Sequence, residues 1–132
     1  MELTYAPGTC NIGPDEIARR RKAAVAGLIA TIALGVALLL IGSTPGSTER
    51  LLVALPLTGA AIGWIQARRR FCMAYGLAGT FNLGKIGEMQ RVSDERALAA
   101  DRRTAVIIAA QGLALGLVGA LAFLALPLSI QS

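Results

Sequence analysis

The sequence predicts an all-α integral membrane protein with three transmembrane helices, at about residues 23–42, 51–67 and 104–126. Each of these stretches lacks charged side chains, and clusters of Arg and Lys lie at their ends. Hydrophobic residues make up 55% of the chain, charged residues make up only 16%, and the mean hydropathy is +0.60. Because a soluble protein of this length needs more polar surface to cover its core, we expect residues 1–132 to form a single membrane domain.

The first helix is predicted to begin ahead of its apolar stretch. Pro14 suits the first helical position, and Asp15 and Glu16 place two carboxylates in the first turn, where they oppose the helix dipole. The uncharged stretch 23–42 then extends about 30 Å as a helix, which matches the core of a bilayer. Residues 1–13 contain proline and glycine and are predicted to form an irregular N-terminal arm.

The second and third spans are bounded by turn and cap signals. A Ser-Thr-Pro-Gly-rich turn follows the first span, and Glu49 and Arg50 are expected to mark the water boundary before residue 51. Ser93 can cap a further helix. We expect that helix to continue without a break into 104–126 and to end at Pro127.

Residues 71–103 are predicted to form a connector and a helix extension on the cytoplasmic side. The segment 71–83 is apolar, but its 13 residues are too few to cross a bilayer as a helix. It is therefore expected to lie in the interface or to form a re-entrant segment against the helices.

The basic residues predict the orientation. One cluster precedes the first span and another follows the second, so both lie on the same side, and the positive-inside rule makes that side cytoplasmic. The N-terminus is then inside and the C-terminus outside. The residues assigned to topology and to contact with the anionic headgroups of the bilayer are Arg19, Arg20, Arg21, Lys22, Arg68, Arg69, Arg70, Arg102 and Arg103.

Charge and composition also exclude several functions. The net charge of +5 does not indicate nucleic-acid binding, because the basic residues flank apolar stretches. The chain has no histidine, the commonest metal ligand and general base, so we expect no metal and no cofactor. All the acidic residues lie outside the predicted spans, which argues against a proton-coupled transporter and favours a non-enzymatic role.

Small residues recur at four-residue spacing on the spans and predict close helix packing. This packing is either within the chain or against a partner or a second copy. Gln111 is the strongly polar side chain deep in the third span, and we expect its amide to bond to Thr31 or Thr58. The packing candidates are Gly27, Thr31, Gly35, Gly59, Gly63, Gly112, Gly116 and Gln111.

The two cysteines, Cys10 and Cys72, are candidate thiols. Cys10 precedes a helix N-terminus and Cys72 follows three arginines, so positive potential at both sites favours a thiolate. Both lie on the predicted cytoplasmic side, where a disulfide is kept reduced. A reactive pair and two unreactive interfacial residues are both compatible with this pattern.

The order of motifs from residue 10 to residue 80 resembles a family of small bacterial inner-membrane proteins, the rhodanese-associated (YgaP-like) transmembrane domains. The matching motifs are Asn-Ile-Gly-Pro-Asp at 11–15, two spans, and Phe-Cys-Met-Ala-Tyr-Gly-Leu-Ala-Gly at 71–79. Cys72 is followed by Met73 where the family has proline, and a third span is added. The resemblance implies a location in the bacterial inner (plasma) membrane and a module close to sulfane-sulfur or thiol chemistry, with Cys72 as the carrier residue.

Two main hypotheses for function follow. The first is a scaffold or accessory subunit that packs with itself as a homo-oligomer, or with a larger membrane complex. The second is thiol-dependent handling of sulfur or of a soft metal through Cys72 and Cys10. A third is recognition of anionic lipid headgroups by 71–83 and its basic neighbours.

Overall fold

The computed structural model describes residues 4–130. These residues form the helices α1 (Pro14–Leu40), α2 (Ala54–Arg69), α3 (Met73–Ala78) and α4 (Glu95–Ala125), a 3-10 helix (Thr48–Val53) that leads into α2, and the strands β1 (Thr80–Phe81) and β2 (Gln90–Arg91). Three helical segments are long and apolar enough to cross a membrane. They are α1, the 3-10 helix together with α2, and α4. The prediction of three such helices is confirmed.

Helix α1 ends in a Schellman motif. Gly42 has a φ of +91°, which glycine adopts without strain. Its N–H donates to the carbonyl oxygen of Leu39 at 3.1 Å, and the N–H of Ser43 donates to that of Leu38 at 3.0 Å. The last carbonyl groups of α1 are thereby paired, and the chain reverses within a few residues towards α2.

Helix α4 runs without a break from Glu95 to Ala125, as the sequence predicts. It ends where Leu126 precedes Pro127, because the residue before a proline disfavours the helical conformation. Leu126 is accordingly extended, with a ψ of 122°.

Helix α2 packs between α1 and α4. On the α1 side, a Cβ added to Gly27 would lie 3.0 Å from the Cα of Ala60, and one added to Gly63 would lie 3.2 Å from the backbone nitrogen of Ala24. Both glycines therefore let the two backbones approach closely, which is the packing that the small-residue pattern predicts.

On its other side, α2 contacts α4 through the glycines of α4. A Cβ on Gly112 would overlap the side chain of Ile62, and one on Gly116 would overlap that of Thr58. Gly35 of α1 makes an ordinary contact, 3.8 Å from Cβ to the ring of Phe123. Most of the predicted packing glycines are thus used between helices of this chain.

Two packing predictions need correction. A Cβ on Gly59 would meet nothing within 4 Å, so this glycine does not pack against a neighbouring helix. Gln111 is exposed and bonds to neither threonine; its Oε1 accepts a hydrogen bond from Arg69 at 3.3 Å. Thr31 donates at 2.8 Å to the carbonyl oxygen of Gly27 in its own helix. Arg69 has a long side chain that extends to Gln111, whereas the hydroxyl of a threonine lies close to its own backbone.

Apolar side chains remain exposed along the outer surface of the helices. In α1, Val25, Ile29 and Ile32 are 55%, 62% and 59% exposed. An exposed apolar surface of this extent is typical of a region that a membrane or another protein covers.

Residues 71–83, predicted to be interfacial or re-entrant, contain α3 and β1. Strand β1 pairs antiparallel with β2, with Thr80 opposite Arg91, and the sequence analysis did not predict this pairing. The N-terminal arm folds onto the same end: the N–H of Asn11 donates to the carbonyl oxygen of Arg70 at 3.0 Å, and the N–H of Gly13 donates to that of Asn82 at 2.9 Å. The first three residues of the predicted arm lie outside the described residues.

Arg50 is fully buried at the opposite end, although the sequence assigned it to the water boundary. Its guanidinium donates to the hydroxyl of Ser43 at 2.9 Å and to the carbonyl oxygens of Phe123 at 3.0 Å and Leu126 at 2.9 Å. It also donates to the carbonyl oxygens of Ser43 and Leu128. Arg50 therefore caps the C-terminus of α4, whose last carbonyl groups lack partners within the helix.

Candidate functional site around Cys72

A reversal of the chain after α2 places Cys72 against the ends of α1 and α2. Arg70 adopts the left-handed conformation, with φ 56° and ψ 42°, which is unfavourable for a residue with a side chain. The next residue, Phe71, is fully buried, and a Cβ on Gly76 would lie 2.7 Å from its ring. This local sequence therefore needs glycine at 76 to bring α3 over Phe71.

Side chains from two other segments hold the backbone at Cys72. The Oδ1 of Asn11 accepts from the N–H of Cys72 at 2.6 Å, and the Nδ2 of Asn11 donates to the carbonyl oxygen of Cys72 at 3.1 Å. The Oε1 of Gln66 accepts from the N–H of Met73 at 2.8 Å. Asn11 and Cys72 are fully or almost fully buried, so these bonds are shielded from water.

The thiol of Cys72 lies beside a guanidinium. Nη2 of Arg20 donates to Sγ of Cys72 at 2.8 Å. The same nitrogen lies 3.3 Å from Oε2 of Glu16, a carboxylate with no exposed surface. One guanidinium is thus shared between a carboxylate and a sulfur atom.

Tyr75 of α3 completes this group. Its hydroxyl donates to Oε1 of Glu16 at 3.1 Å, and the guanidinium carbon of Arg20 lies 5.9 Å from the centre of its ring. Burial, followed by the charge of Glu16 and the hydrogen bond to it, raises the pKa of Tyr75 above its ordinary value. Tyr75 therefore stays protonated and remains a hydrogen-bond donor.

A pocket of about 360 Å³ lies next to the thiol, between α1 and α2. Its walls are mostly apolar, and its polar groups are gathered at the end nearest the basic clusters. The lining residues are Arg20, Ala23, Gly59, Ile62, Gly63, Gln66, Cys72, Met73 and Ala74.

Cys10, the second predicted thiol, is buried but does not line this pocket. Its Sγ donates to the carbonyl oxygen of Ile12 at 3.6 Å, and both cysteines are free thiols. The structure therefore gives a charged partner to Cys72 and not to Cys10.

A second buried polar group fixes the N-terminal arm to α4. Asp101 is fully buried and accepts from the hydroxyl of Tyr5 at 2.6 Å and from the N–H of Gly8 at 2.7 Å, while the hydroxyl of Thr104 donates to the carbonyl oxygen of Gly8 at 2.7 Å. Burial and the hydrogen bond to Asp101 raise the pKa of Tyr5.

The predicted basic residues separate into two groups. Arg20 turns inward to Glu16 and Cys72. The others are exposed: Arg19, Arg21, Lys22, Arg68, Arg69, Arg70, Arg102 and Arg103.

The sequence predicted Arg20 as a topology residue and Cys72 as a thiol, but it did not predict that the two are in contact or which residues surround them. Asn11 and Tyr75 entered the prediction only through the motifs of the family resemblance, and Gln66 not at all. The one local signal was the i,i+4 spacing of Glu16 and Arg20, which predicts an ion pair on one face of a helix.

Comparisons of this chain with protein-family models, with curated proteins and with solved structures find no match. The resemblance of residues 10–80 to the rhodanese-associated membrane domains stays a prediction. The fold and the site define the chain as a helical protein with three candidate membrane spans and an arginine-paired thiol at its basic end.

Proposed function

We propose that the chain is a three-span protein of a bacterial inner membrane, with its N-terminus in the cytoplasm and its C-terminus outside. Three observations support this proposal: the apolar surface of the helices is exposed, the basic clusters of α1 and α2 share one end of the bundle, and the opposite end has its arginine buried. The exposed basic residues then face anionic headgroups on the cytoplasmic side.

Single exposed cysteines test this orientation. In a background without the two native thiols, Thr48→Cys and Lys85→Cys place a thiol at opposite ends of the bundle. An impermeant maleimide should label position 48 in intact cells and position 85 only after the membrane is opened. Labelling of both positions from the same side would refute the orientation.

The function that the geometry supports best is thiol-dependent transfer of sulfane sulfur through Cys72. The observation that carries this proposal is the 2.8 Å hydrogen bond from Arg20 to Sγ, beside a pocket large enough for a small ligand. A thiolate is the nucleophilic form of cysteine, and a guanidinium that donates to sulfur favours that form.

The step balances without an external oxidant or reductant. The thiolate of Cys72 attacks the outer sulfur of a persulfide donor, RS–SH, so that a new S–S bond forms while the S–S bond of the donor breaks. The departing RS⁻ takes the persulfide proton and leaves as RSH. The anionic persulfide at Cys72 then accepts the hydrogen bond from Arg20.

The same geometry favours sulfur over a soft metal ion. A metal cation at Sγ would lie within a few ångströms of the guanidinium of Arg20, and two like charges at that distance repel strongly in a poorly solvated site. An anionic persulfide is attracted by the same guanidinium. Arg20 thus favours sulfur transfer over binding of a soft metal ion, the two kinds of thiol chemistry that the sequence left open.

Sulfur transfer can be measured directly on the purified protein. After incubation with glutathione persulfide, intact-protein mass spectrometry should show one added sulfur atom, located at Cys72 by peptide mapping. Cys10→Ser is the matched control and should react like the native protein, whereas Cys72→Ser should not react. Arg20→Gln should slow the reaction roughly tenfold or more, since a hydrogen bond to a charged group contributes about 1.5–3 kcal/mol.

The proposal fails if no sulfur is found at Cys72 at any donor concentration. It also fails if Cys10 carries the sulfur, or if Arg20→Gln reacts at the native rate. These outcomes would leave the thiol of Cys72 as a packed, unreactive side chain.

A role as an accessory subunit is a second proposal, and one feature favours it. A groove of about 410 Å³ on the other side of α1 and α2 is lined by Leu28, Leu57, Trp64 and neighbouring apolar residues. Such a groove accepts a side chain from a helix of a partner. Co-purification of a defined membrane partner that is lost when the groove is filled by Ala61→Leu would support this role, and recovery of a monomer alone from mild detergents would oppose it.

A further inference from the structure

We infer that the substrate of Cys72 is a lipophilic molecule that reaches the thiol from the bilayer, through the pocket between α1 and α2. This inference rests on the proposed thiol chemistry and specifies the class of its sulfur donor. The donor is a long-chain persulfide whose apolar chain lies along α2 and whose sulfur end lies against Arg20 and Gln66.

The pocket extends from the basic end into the apolar part of the helices. Gly59 and Gln66 both line it and are seven residues apart on α2, which corresponds to about 10 Å along the helix axis. The walls between them are apolar and come from Ala23 and Ile62. A ligand that fills this pocket therefore has one polar end and a stretch of apolar chain.

Gly59 provides the space for that chain. A Cβ at this position would meet nothing within 4 Å, whereas a Cβ on Gly63 one turn later would press against the backbone of Ala24. The two glycines have the same spacing signal in the sequence but different roles. Gly63 is required by helix packing, and Gly59 leaves an unfilled groove that opens towards the surface where we place hydrocarbon.

Protein covers the other sides of the thiol. Cys72 is 1% exposed and packs in a cluster with Ile12 of the N-terminal arm, Ile17 of α1 and Ala67 of α2. Asn11, also fully buried, lies over its backbone. A water-borne reagent would have to displace the arm, whereas a molecule that enters the pocket from the bilayer reaches Sγ when a side chain that lines the pocket moves.

An unpaired donor lies on the pocket wall. Gln66 is 8% exposed, and its Oε1 is used by the N–H of Met73. Within residues 4–130 its Nε2 makes no hydrogen bond and keeps some exposed surface, so it can donate to a ligand in the pocket. An acceptor atom on a ligand would satisfy it, next to the second donor, Arg20. These two donors favour a ligand whose polar end is neutral or anionic, and the charge of Arg20 repels a cationic polar end.

The test compares two thiol reagents on the Cys10→Ser protein in lipid nanodiscs, where Cys72 is the one remaining thiol. N-dodecylmaleimide dissolves in the bilayer, and a sulfonated maleimide stays in water. Gly59→Leu fills the pocket. Ala61→Leu is the matched control, because it adds the same side chain to the same helix but lines the groove on the other side.

We expect Gly59→Leu to slow the reaction with N-dodecylmaleimide at least tenfold, or about 1.4 kcal/mol, and Ala61→Leu to leave it within about twofold. Partition into lipid is the same for both variants, so the difference reports the groove alone. A native rate for Gly59→Leu would overturn the inference. So would a sulfonated reagent that reacts with the native pocket as fast as the lipophilic one.

A second readout tests the polar end without a reaction. N-dodecylsuccinimide, which is unreactive, should protect Cys72 from N-ethylmaleimide, and Gln66→Glu should weaken this protection while keeping the oxygen that Met73 uses. Unchanged protection would refute the role of Gln66. Sulfur transfer to Cys72 that is insensitive to Gly59→Leu defeats this inference alone, whereas no transfer from any donor defeats the proposed function.

Discussion

Replacement of Arg50 by methionine should destabilise the bundle more than any other single change of a basic residue. The side chain is fully buried and donates to Ser43 and to the carbonyl oxygens that end α4 at Phe123 and Leu126. Its guanidinium carbon also lies 4.9 Å from the centre of the Phe123 ring. Methionine replaces the aliphatic part of the side chain but offers no donor.

The magnitude follows from the partners that remain after the change. A hydrogen bond that involves a charged group typically contributes about 1.5–3 kcal/mol. The carbonyl groups of α4 lose their charged partner here, and each buried group left unpaired costs about 1–3 kcal/mol when no water replaces it. These costs are not additive, and we expect a loss of about 4 kcal/mol.

Arg50→Lys should recover part of this loss. Lysine keeps the charge, but an ammonium has three donors, while the guanidinium reaches five acceptor atoms on Ser43, Phe123, Leu126 and Leu128. Unfolding in mixed micelles with increasing denaturing detergent measures all three proteins. Arg91→Met, at an exposed position on β2, is the control.

The same experiment should show where the stability is lost. Hydrogen exchange in Arg50→Met should increase first in the last turn of α4, because its carbonyl groups are those that Arg50 caps. If Arg50→Met unfolds within about 0.5 kcal/mol of the control, the range typical of surface changes, the guanidinium does not hold the two segments together and the argument fails.

Two further predictions concern packing and pH. Gly63→Leu should force α1 and α2 apart and lower the free energy of unfolding by several kcal/mol, at about the level of an overpacked core. Gly59→Leu should unfold like the native protein. Equal losses in the two variants would refute the different roles of the two glycines. The ultraviolet titration of the two tyrosines should show both Tyr5 and Tyr75 ionising above their ordinary pKa of about 10. Because both pKa values are raised by folding, their contribution to stability is complete below pH about 10 and is lost as the pH rises through the folded-state values. Asp101→Asn should return the pKa of Tyr5 towards its ordinary value, and no change would contradict the Tyr5–Asp101 bond.

The helices could be predicted because their signals are local. A stretch of apolar residues long enough to cross a bilayer, Gly42 after α1 and Pro127 after α4 each act within a few residues of the chain. Glycines at four-residue spacing also predicted where α1 and α2 approach. The pattern could not tell Gly63 from Gly59, because the two lie one turn apart on the same side of α2 and only Gly63 lies next to the backbone of Ala24.

The site could not be assembled from the sequence because its contacts join distant residues. Asn11 and Cys72 are 61 positions apart, and Arg20 and Cys72 are 52 positions apart. An arginine at the end of an apolar stretch has the same sequence context whether it faces water, a headgroup or a sulfur atom. Arg50 shows the same ambiguity, since its carbonyl partners belong to a helix more than 70 positions away.

These long-range polar contacts have a physical role that follows from the solvent we propose. Hydrocarbon gives apolar helices no hydrophobic reason to associate, so close packing and hydrogen bonds must hold them together. The glycine contacts join α2 to α1 and α4 along their length, Arg50 closes one end, and Asn11 closes the other. Asn11 and Gln66 hydrogen-bond to the backbone of Cys72 and Met73 and so fix the position of the thiol beside Arg20. On the function we propose, the sulfur atom lies beside its guanidinium before a substrate binds, and side chains that line the pocket have to move for the two to meet.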